Sequence, residues 1–223
     1  MKWDILCLTM PTRTYFLERL RRNLDGQLRS GVRLKIMFHN PDISLGDNRQ
    51  LMREESDADY ICFIDDDDLV DSLYVSRILP LLDGVDYIGF RVQAYENDVP
   101  LPGPTYHSLL CGGWFDKTYA DGTKSWHRDI SHINPIKREL ALAVPMYGGF
   151  AEDSRWAGDL RSLGIVKTEH YIEDVMYHYL SRPNKTDGVS PGPVTAGTCP
   201  FCQSNATILS HGHMVCNKCG KES

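Results

Sequence analysis

The N-terminal half of the chain alternates short apolar runs, typical of β-strands, with longer amphipathic runs typical of helices. Strands that alternate with helices favour βαβ units and a mainly parallel sheet, so the pattern predicts an α/β fold. The apolar runs predict strands over residues 3–9, 32–38, 60–64 and 87–93. The amphipathic runs predict helices over residues 15–28, 46–55 and 72–81.

The pattern weakens in the middle of the chain. Residues 94–126 are rich in Gly, Pro and aromatic side chains, which predicts loops and a hairpin that can gate a substrate. Asn134 followed by Pro135 is a favourable helix start, because Asn caps a helix and Pro fits its first turn. The sequence therefore predicts a helix over residues 136–143.

Regular elements return towards residue 180. A helix is predicted to follow the acidic pair Glu152 and Asp153 and to stop at Gly164, since glycine commonly ends helices. Strand-like runs follow over residues 165–172 and 175–180. This half of the chain therefore supplies further layers for the same α/β domain.

Composition divides the chain into three parts. Residues 1–181 are long enough to bury one substantial core, whereas residues 182–198 hold three prolines and three glycines and predict a linker. Residues 199–223 carry two Cys-x-x-Cys pairs, a spacing that favours zinc in a reducing compartment. Four thiolates around Zn²⁺ can hold a module too small to fold on its own core. We predict a Cys₄ zinc ribbon with structural Zn²⁺ on Cys199, Cys202, Cys216 and Cys219.

The net charge and the hydropathy of the chain restrict how it can interact with nucleic acids and membranes. The formal net charge is -6 and the pI is near 5.7, so any contact with nucleic acid has to come from a local patch. The first residues lack the basic and apolar regions of a signal peptide, and no apolar run approaches the roughly 18 residues of a membrane span. We expect a cytoplasmic protein without a membrane partner.

Four consecutive aspartates, Asp65 to Asp68, end the predicted strand over residues 60–64. Open α/β sheets bind ligands outside the carboxyl ends of their strands, so this position favours a site. The carboxylates repel one another unless a cation offsets their charge, and Mg²⁺ or Mn²⁺ suits carboxylate oxygens while keeping positions for phosphate. The alternative is a solvated acidic turn that caps the next helix.

Three segments, taken in order, resemble glycosyltransferase family 2, whose members have the GT-A fold. Residues 10–14 look like its first nucleotide-contacting loop, residues 46–49 like its glycine-arginine-asparagine segment, and residues 58–68 like the strand that leads into its Asp-x-Asp motif. The resemblance implies a Rossmann-like, mostly parallel mixed sheet flanked by helices. It also implies a nucleotide-sugar donor, with a UDP-sugar favoured, and catalytic Mn²⁺ or Mg²⁺.

The same resemblance assigns donor and metal residues. It implies that Asp67 and Asp65 bind the metal, with Asp67 the direct ligand. The residues implied in donor binding are Thr9, Pro11, Arg13, Asp42, Arg49, Asp65 and Asp66. Asp42 is assigned to the nucleotide base, although the segment after the second strand departs from the family's usual pattern.

Glu152 and Asp153 resemble the family's Glu-Asp acceptor motif, whose aspartate is the general base of inverting members. Displacing a nucleoside diphosphate from an anomeric carbon requires deprotonation of the acceptor hydroxyl, and one carboxylate is enough. The alternative is that acids simply favour a first helical turn. Arg155 and Trp156 directly follow the pair, unlike the later Arg-Trp motif of processive membrane synthases, so we expect a non-processive enzyme.

Two histidines are further candidates. His178 lies in the strand-like run over residues 175–180, where it either completes the metal site, as in similar enzymes, or is a core side chain. His132 is predicted to contact the acceptor or donor.

The acceptor hypothesis comes from the layout of the chain. A zinc ribbon on a linker often grips nucleic acid or protein, and the layout resembles small bacteriophage-encoded transferases, some of which glycosylate hydroxymethylated pyrimidines in DNA. The corresponding location is the host cell cytoplasm. An extruded base would meet Trp114 or Trp126, although both can equally be packing residues. The alternatives are a glycan, protein or small-molecule acceptor, or a catalytically idle module that binds a nucleotide and a partner.

Overall fold

The computed structural model of the protein describes residues 1–181 and, beyond them, the backbone of residues 197–198, 205–208 and 214–216. The chain divides into two compact units, Met1–Arg182 and Pro183–Ser223. Most of the predicted linker and the side chains of the four cysteines predicted to bind Zn²⁺ lie outside the described residues. Within the described part of the chain, no helix has the length and apolar character to cross a membrane.

The first unit alternates strands and helices as predicted. Its strands are β1 (Trp3–Thr9), β2 (Val32–Phe38), β3 (Tyr60–Phe63), β4 (Leu69–Val70), β5 (Tyr87–Glu96), β6 (Val99–Pro100), β7 (Thr105–His107), β8 (Phe115–Thr118), β9 (Lys124–Arg128), β10 (Ile136–Lys137) and β11 (Glu169–Ser181). Its α-helices are α1 (Thr14–Asp25), α2 (Leu45–Glu54), α3 (Tyr74–Ile78), α4 (Arg138–Ala141) and α5 (Glu152–Leu163). In the second unit, the described strands β12 (Gly197–Thr198), β13 (Asn205–Ile208) and β14 (Met214–Cys216) pair antiparallel in that order.

One mixed sheet organises the first unit, in the order β2-β1-β3-β10-β5-β7-β9-β8. Strand β1 pairs parallel with β2 and β3, and β11 pairs parallel with β5 and antiparallel with β4. The parallel part places the carboxyl ends of β1, β2 and β3 at one edge of the sheet. The mixed α/β sheet predicted from the sequence is confirmed.

The core lies on both faces of this sheet. Along β3, Cys62 packs into the cluster that includes α1 and α3, whereas Ile61 and Phe63 pack into the cluster that includes α2 and α5. Successive side chains of a strand point to opposite faces, so an entirely apolar strand needs helices on both sides. All four residues of β3 are buried, as the uninterrupted apolar run predicts.

The helix predicted over residues 136–143 is wrong. Ile136 instead pairs antiparallel with Ile61 of β3 and Tyr87 of β5, and only Arg138–Ala141 is helical. Asn134 does not cap a helix: its buried Oδ1, the atom that would accept a helix N–H, lies 2.7 Å from His107 Nδ1, and its Nδ2 donates to the Ile88 carbonyl at 2.9 Å. Tertiary pairing in the sheet therefore overrides a favourable local helix signal.

Two other regions can be compared with the elements predicted from the sequence. The second run and residues 169–172 of the first form one strand, β11, whose pairing with β5 is irregular around Val175, whereas residues 165–168 are not in a strand. The hairpin predicted within residues 94–126 is present as β8 and β9, which pair antiparallel.

Candidate active site

An open pocket of about 360 Å³ lies at the carboxyl ends of β1, β2 and β3. It is lined by Leu8, Thr9, Met10, Arg13, His39, Leu45, Arg49, Asp65, Asp66 and Asp67. The predicted donor residues Thr9, Arg13 and Arg49 thus meet three aspartates. The structure brings neither Pro11 nor Asp42 into this lining: both are exposed, and His39 lines the pocket after β2.

The aspartate run divides into two kinds of side chain. Asp66 and Asp68 are buried, at 3% and 2% exposure, whereas the side chains of Asp65 and Asp67 are 34% and 38% exposed. Exposed and buried side chains therefore alternate along the run, which forms a turn closed by the Asp68 N–H donating to the Asp65 carbonyl at 3.1 Å. Asp65 and Asp67 are the members of the run accessible to a ligand.

Asp66 fixes the start of the run to β1. Its carboxylate accepts a hydrogen bond from the Thr9 hydroxyl at 2.5 Å and from Arg13 Nη2 at 2.6 Å. Burial raises the pKa of the Asp66 carboxyl, although Arg13 and Thr9 act in the opposite direction. The same Arg13 nitrogen lies 2.7 Å from an Asp67 carboxylate oxygen, so one guanidinium bridges the two aspartates.

Asp68 ties the run to β11 instead. Tyr177 donates its hydroxyl hydrogen to one Asp68 oxygen at 2.7 Å, and the Leu180 backbone N–H donates to the other at 2.7 Å. Burial and repulsion from Asp65 raise the pKa of the Asp68 carboxyl well above its usual range. Tyr177, which is fully buried, was not predicted as a site residue; strand alternation would have placed it on the face opposite His178.

Arg49 joins Asp65 to the helix that carries the acidic pair. Its Nη2 lies 2.6 Å from Asp65 Oδ1, and its Nη1 lies 2.6 Å from Glu152 Oε1. Burial alone raises the pKa of Asp65, but Arg49 and His132 outweigh it and hold that pKa below its usual range. Arg49 and Glu152, which are only 7% and 4% exposed, thus form a buried ion pair, and the partly exposed Asp65 completes an ion triad. The Arg49 guanidinium, which the sequence analysis assigned to donor binding, is therefore already paired with two carboxylates.

Local capping explains where Arg49 lies. Ser44 caps α2 by accepting the Asp47 backbone N–H at 3.1 Å, and Asp47 accepts the Ser44 N–H in return. This reciprocal capping box stabilises a helix start directly after the loop that follows β2. Arg49 is thereby placed in the second turn, facing the aspartate run.

His132 lies between the two acidic groups of the site. Its Nδ1 is 3.4 Å from Asp153 Oδ2, and its Nε2 is 3.8 Å from Asp65 Oδ2. The other Asp153 oxygen accepts the Ser154 backbone N–H at 2.8 Å, and 26% of the Asp153 side chain is exposed. The residues predicted for base and metal chemistry therefore lie on one continuous surface, with His132 between them.

The structure does not bring His178 to the aspartates. Its Nδ1 lies 3.2 Å from the Tyr95 hydroxyl, while the neighbouring Tyr177 faces Asp68. The ligand set of Asp65, Asp67 and His178 is therefore not assembled, because strand alternation directs His178 away from the pocket.

The remaining residues can still hold a divalent metal. Within the described part of the chain, no three His, Cys, Asp or Glu side chains are grouped to bind a metal by themselves. Mg²⁺, however, is commonly held by one or two carboxylates together with substrate phosphates. Asp65 and Asp67, both partly exposed at the pocket, fit that arrangement.

The two tryptophans predicted to contact an acceptor are engaged in the fold. Trp114 Nε1 donates to the Ile130 carbonyl at 2.8 Å, its ring packs against the core, and the Arg128 guanidinium lies 5.1 Å from it. Trp126 lies within β9, between its partners Thr105 and Asp116. Neither tryptophan lies in the pocket lining.

Comparison with solved structures agrees with this fold. No protein-family model matches the chain, and no curated protein matches it. The chain is similar to S. aureus TarS 1–349 in complex with UDP-GlcNAc, with a TM-score of 0.54, 13% identity and coverage of 83% of this chain and 60% of that one. The same TarS segment in complex with UDP gives a TM-score of 0.53 and 13% identity over 82% of this chain and 61% of that one.

The chain also matches a longer S. aureus TarS structure, with a TM-score of 0.53 and 12% identity over 81% of this chain but only 37% of the other. Our chain thus spans about 60% of the length of the shorter TarS structures. At these identities the comparison shows the fold. The protein has a GT-A-type glycosyltransferase fold.

Proposed function

We propose that this protein is a metal-dependent, inverting, non-processive glycosyltransferase that moves a sugar from a UDP-sugar to a hydroxyl group. The observation that carries the proposal is the continuous set of side chains from Asp67 and Asp65, through His132 and Arg49, to Asp153. This set of side chains joins the pocket, in which we place the donor diphosphate, to the carboxylate of Asp153, which is suited to act as a base. The S. aureus TarS structures contain UDP and UDP-GlcNAc on a similar fold, which supports a UDP-sugar donor.

In this proposal the pocket holds the donor diphosphate. Asp67 and Asp65 would hold Mn²⁺ or Mg²⁺, which would supply Lewis acidity for the departing diphosphate. Arg13 has two carboxylate partners at the pocket and donates charge-assisted hydrogen bonds to Asp66. It keeps the aspartate loop folded against β1 and therefore keeps the pocket open to the donor.

Asp153 acts as the general base. It takes the proton of the acceptor hydroxyl while that oxygen bonds to the anomeric carbon, and the bond from this carbon to the diphosphate breaks on the opposite face. The Ser154 N–H bond orients the carboxylate, and His132 Nδ1 lies 3.4 Å from its other oxygen. Arg49 neutralises Glu152 next to it, which limits repulsion between two adjacent acids.

For the acceptor, we propose the hydroxymethyl group of a modified pyrimidine in DNA. The hairpin β8–β9 supports this class, because Phe115 and Tyr119 are exposed and Lys117 Nζ lies 4.8 Å from the Tyr119 ring centroid. Aromatic side chains beside cations suit single-stranded or extruded nucleotides. Such a local patch is what a chain of net charge -6 needs in order to meet a polyanion.

The direct test is mass spectrometry of intact nucleosides. DNA that contains 5-hydroxymethyluracil or 5-hydroxymethylcytosine is incubated with the full chain, Mn²⁺ or Mg²⁺, and a panel of UDP-sugars. We expect one modified nucleoside to gain the mass of a sugar residue. Release of UDP without any mass gain would retain the transferase and exclude the DNA acceptor, so glycans, proteins and small molecules would be tested next. No UDP release would favour the idle binding module.

A further inference from the structure

The segment 147–151, directly before α5, displays two aromatic side chains to solvent. Phe150 is 97% exposed and Tyr147 is 49% exposed, although the segment runs from buried Met146 to buried Glu152. Phe150 precedes the proposed base Asp153 by three residues. The mechanism above gives neither aromatic ring a role.

The backbone of this segment is held firmly against the start of α2. The Gly46 N–H donates to the Gly148 carbonyl at 2.7 Å, and a Cβ on Gly46 would lie only 2.5 Å from the Tyr147 carbonyl carbon. Arg155 Nη2 donates to the Tyr147 carbonyl at 3.2 Å. The segment is therefore tied to two helices, and Phe150 projects from a supported backbone.

One residue of the segment is also conformationally costly. Ala151 has a φ of 64°, in the left-handed region, which costs a non-glycine residue roughly 1–2 kcal/mol. Such a conformation persists only where its surroundings impose it, and it is commonest next to binding sites. It sets the direction in which the chain enters α5, and hence where Phe150 lies relative to Asp153.

An exposed apolar side chain alone needs no explanation. Leu110, for example, is 92% exposed and lies on a separate 3-10 turn. Phe150 differs because it shares a tethered segment with a second exposed aromatic residue and precedes the proposed base by three residues. Trp114, by contrast, packs against the core and donates its indole N–H to the Ile130 carbonyl.

We propose that Phe150, together with Tyr147 of the same segment, is the platform on which the acceptor ring stacks, and that this ring is a pyrimidine base. The inference rests on the proposed function, because it takes Asp153 as the base. The segment reads Tyr-Gly-Gly-Phe-Ala, so its only polar side-chain group is the Tyr147 hydroxyl. A sugar ring brings several hydroxyls that need partners when they are desolvated, whereas a base presents a flat π-face.

Binding of small probes tests this inference without turnover. The probes are 5-hydroxymethyl-2′-deoxyuridine and methyl β-D-glucopyranoside, each titrated into the full chain with UDP and Mn²⁺ and followed by saturation-transfer NMR. We expect saturation of the pyrimidine H6 proton, a dissociation constant that rises about tenfold in Phe150→Ala, and near-normal binding in Phe150→Trp. Leu110→Ala, an equally exposed apolar truncation, should leave binding unchanged. The melting temperature of each variant is recorded to show that it folds.

Several outcomes would overturn the platform. Equal pyrimidine binding by Phe150→Ala and the wild type would do so, as would binding of the glucopyranoside alone, which would indicate a glycan acceptor. Binding of neither probe, with UDP still released from a UDP-sugar, would remove the platform and keep the transferase. Pyrimidine binding that depends on Phe150, without UDP release, would keep the platform and contradict the proposed function.

Discussion

The two sides of the candidate site are built differently. On the donor side every aspartate of the run has a close polar partner: Arg49 for Asp65, Arg13 for Asp66 and Asp67, and Tyr177 for Asp68. On the acceptor side, Asp153 has a 3.4 Å contact with His132 and one local backbone hydrogen bond. Phe150, three residues before Asp153 in sequence, is almost fully exposed.

This difference fits the chemistry expected of each side. A diphosphate and a metal ion require several charges to be held in advance, which dense pairing achieves. A general base has to remain free to take a proton, and a close guanidinium would stabilise its charged form and weaken it. In the structure, the nearby guanidinium of Arg49 pairs with Glu152 and Asp65. The contrast predicts that substitutions on the donor side change stability and donor binding, whereas those on the acceptor side change turnover or acceptor binding.

The largest effect is expected from Asp153→Asn. Loss of the base should lower the transfer rate by roughly 10²- to 10⁴-fold, with UDP binding unchanged. Transfer is measured by nucleoside mass and UDP binding by calorimetry. Asp159→Asn, the same change at an exposed position of α5, is the matched control and should have little effect. Near-normal turnover in Asp153→Asn would contradict the assignment of the base.

Arg49→Met should be the most destabilising change on the donor side. It leaves the carboxylates of Glu152 and Asp65 without their cation, and removing one partner of a buried pair costs about 3–5 kcal/mol. The free energy of unfolding is measured by urea denaturation. Arg21→Met removes an exposed pair with Glu18 and should cost less than about 1 kcal/mol. Similar losses in both variants would show that the triad is not a stabilising link.

Low pH should destabilise the fold because it protonates His107, a buried residue at the end of β7. Burial lowers the pKa of this imidazole from 6.5 to about 4, with the Asn134 hydrogen bond opposing the shift. The folded state therefore binds fewer protons than the unfolded state between these values. Stability from this group is full above pH 6.5 and is lost as the pH falls towards 4, by up to about 3 kcal/mol. Urea denaturation across this range should show a shallower slope for His107→Gln; an equal slope would exclude His107 as the cause.

On the donor side, Asp67→Ala should mainly weaken UDP binding, whereas Asp66→Ala should mainly lower the stability of the fold. Asp67 is partly exposed, so its truncation should weaken Mn²⁺-dependent UDP binding about tenfold or more and change stability by less than about 1 kcal/mol. Asp66 is buried with two partners, so its truncation should cost about 1–3 kcal/mol. Calorimetry and urea denaturation measure the two quantities. His178→Ala is the control and should bind UDP as the wild type does; weakened binding there would restore His178 to the metal site.

The sequence was informative where local pattern and tertiary role agree. The apolar run of β3 predicted both its burial and the position of the aspartates at its end, and the periodicity before Gly164 predicted α5. The sequence-based prediction failed where a strand pairs with strands that are distant in sequence. Asn134 and Pro135 favour a helix locally, yet the sheet recruits Ile136 as a strand between β3 and β5.

Contacts between site residues that are distant in sequence could not be predicted from local sequence patterns either. Arg49 and Glu152 are 103 residues apart in sequence, and their contact follows only from the packing of α2 beside α5. The role of Tyr177 was not predicted, because its partner Asp68 is 109 residues away in sequence. Strand alternation places Tyr177 and His178 on opposite faces, so only one of the two can face the aspartate run.

The central claim is that the pocket holds a nucleotide-sugar and a metal for glycosyl transfer. The most direct measurement is the release of UDP from UDP-glucose, UDP-galactose and UDP-GlcNAc by the full chain, with Mn²⁺ and with EDTA, in the presence of 5-hydroxymethyluracil DNA. We predict release from at least one donor that stops with EDTA and in Asp67→Ala. Absence of release from every donor, or release unaffected by both EDTA and Asp67→Ala, would contradict the account.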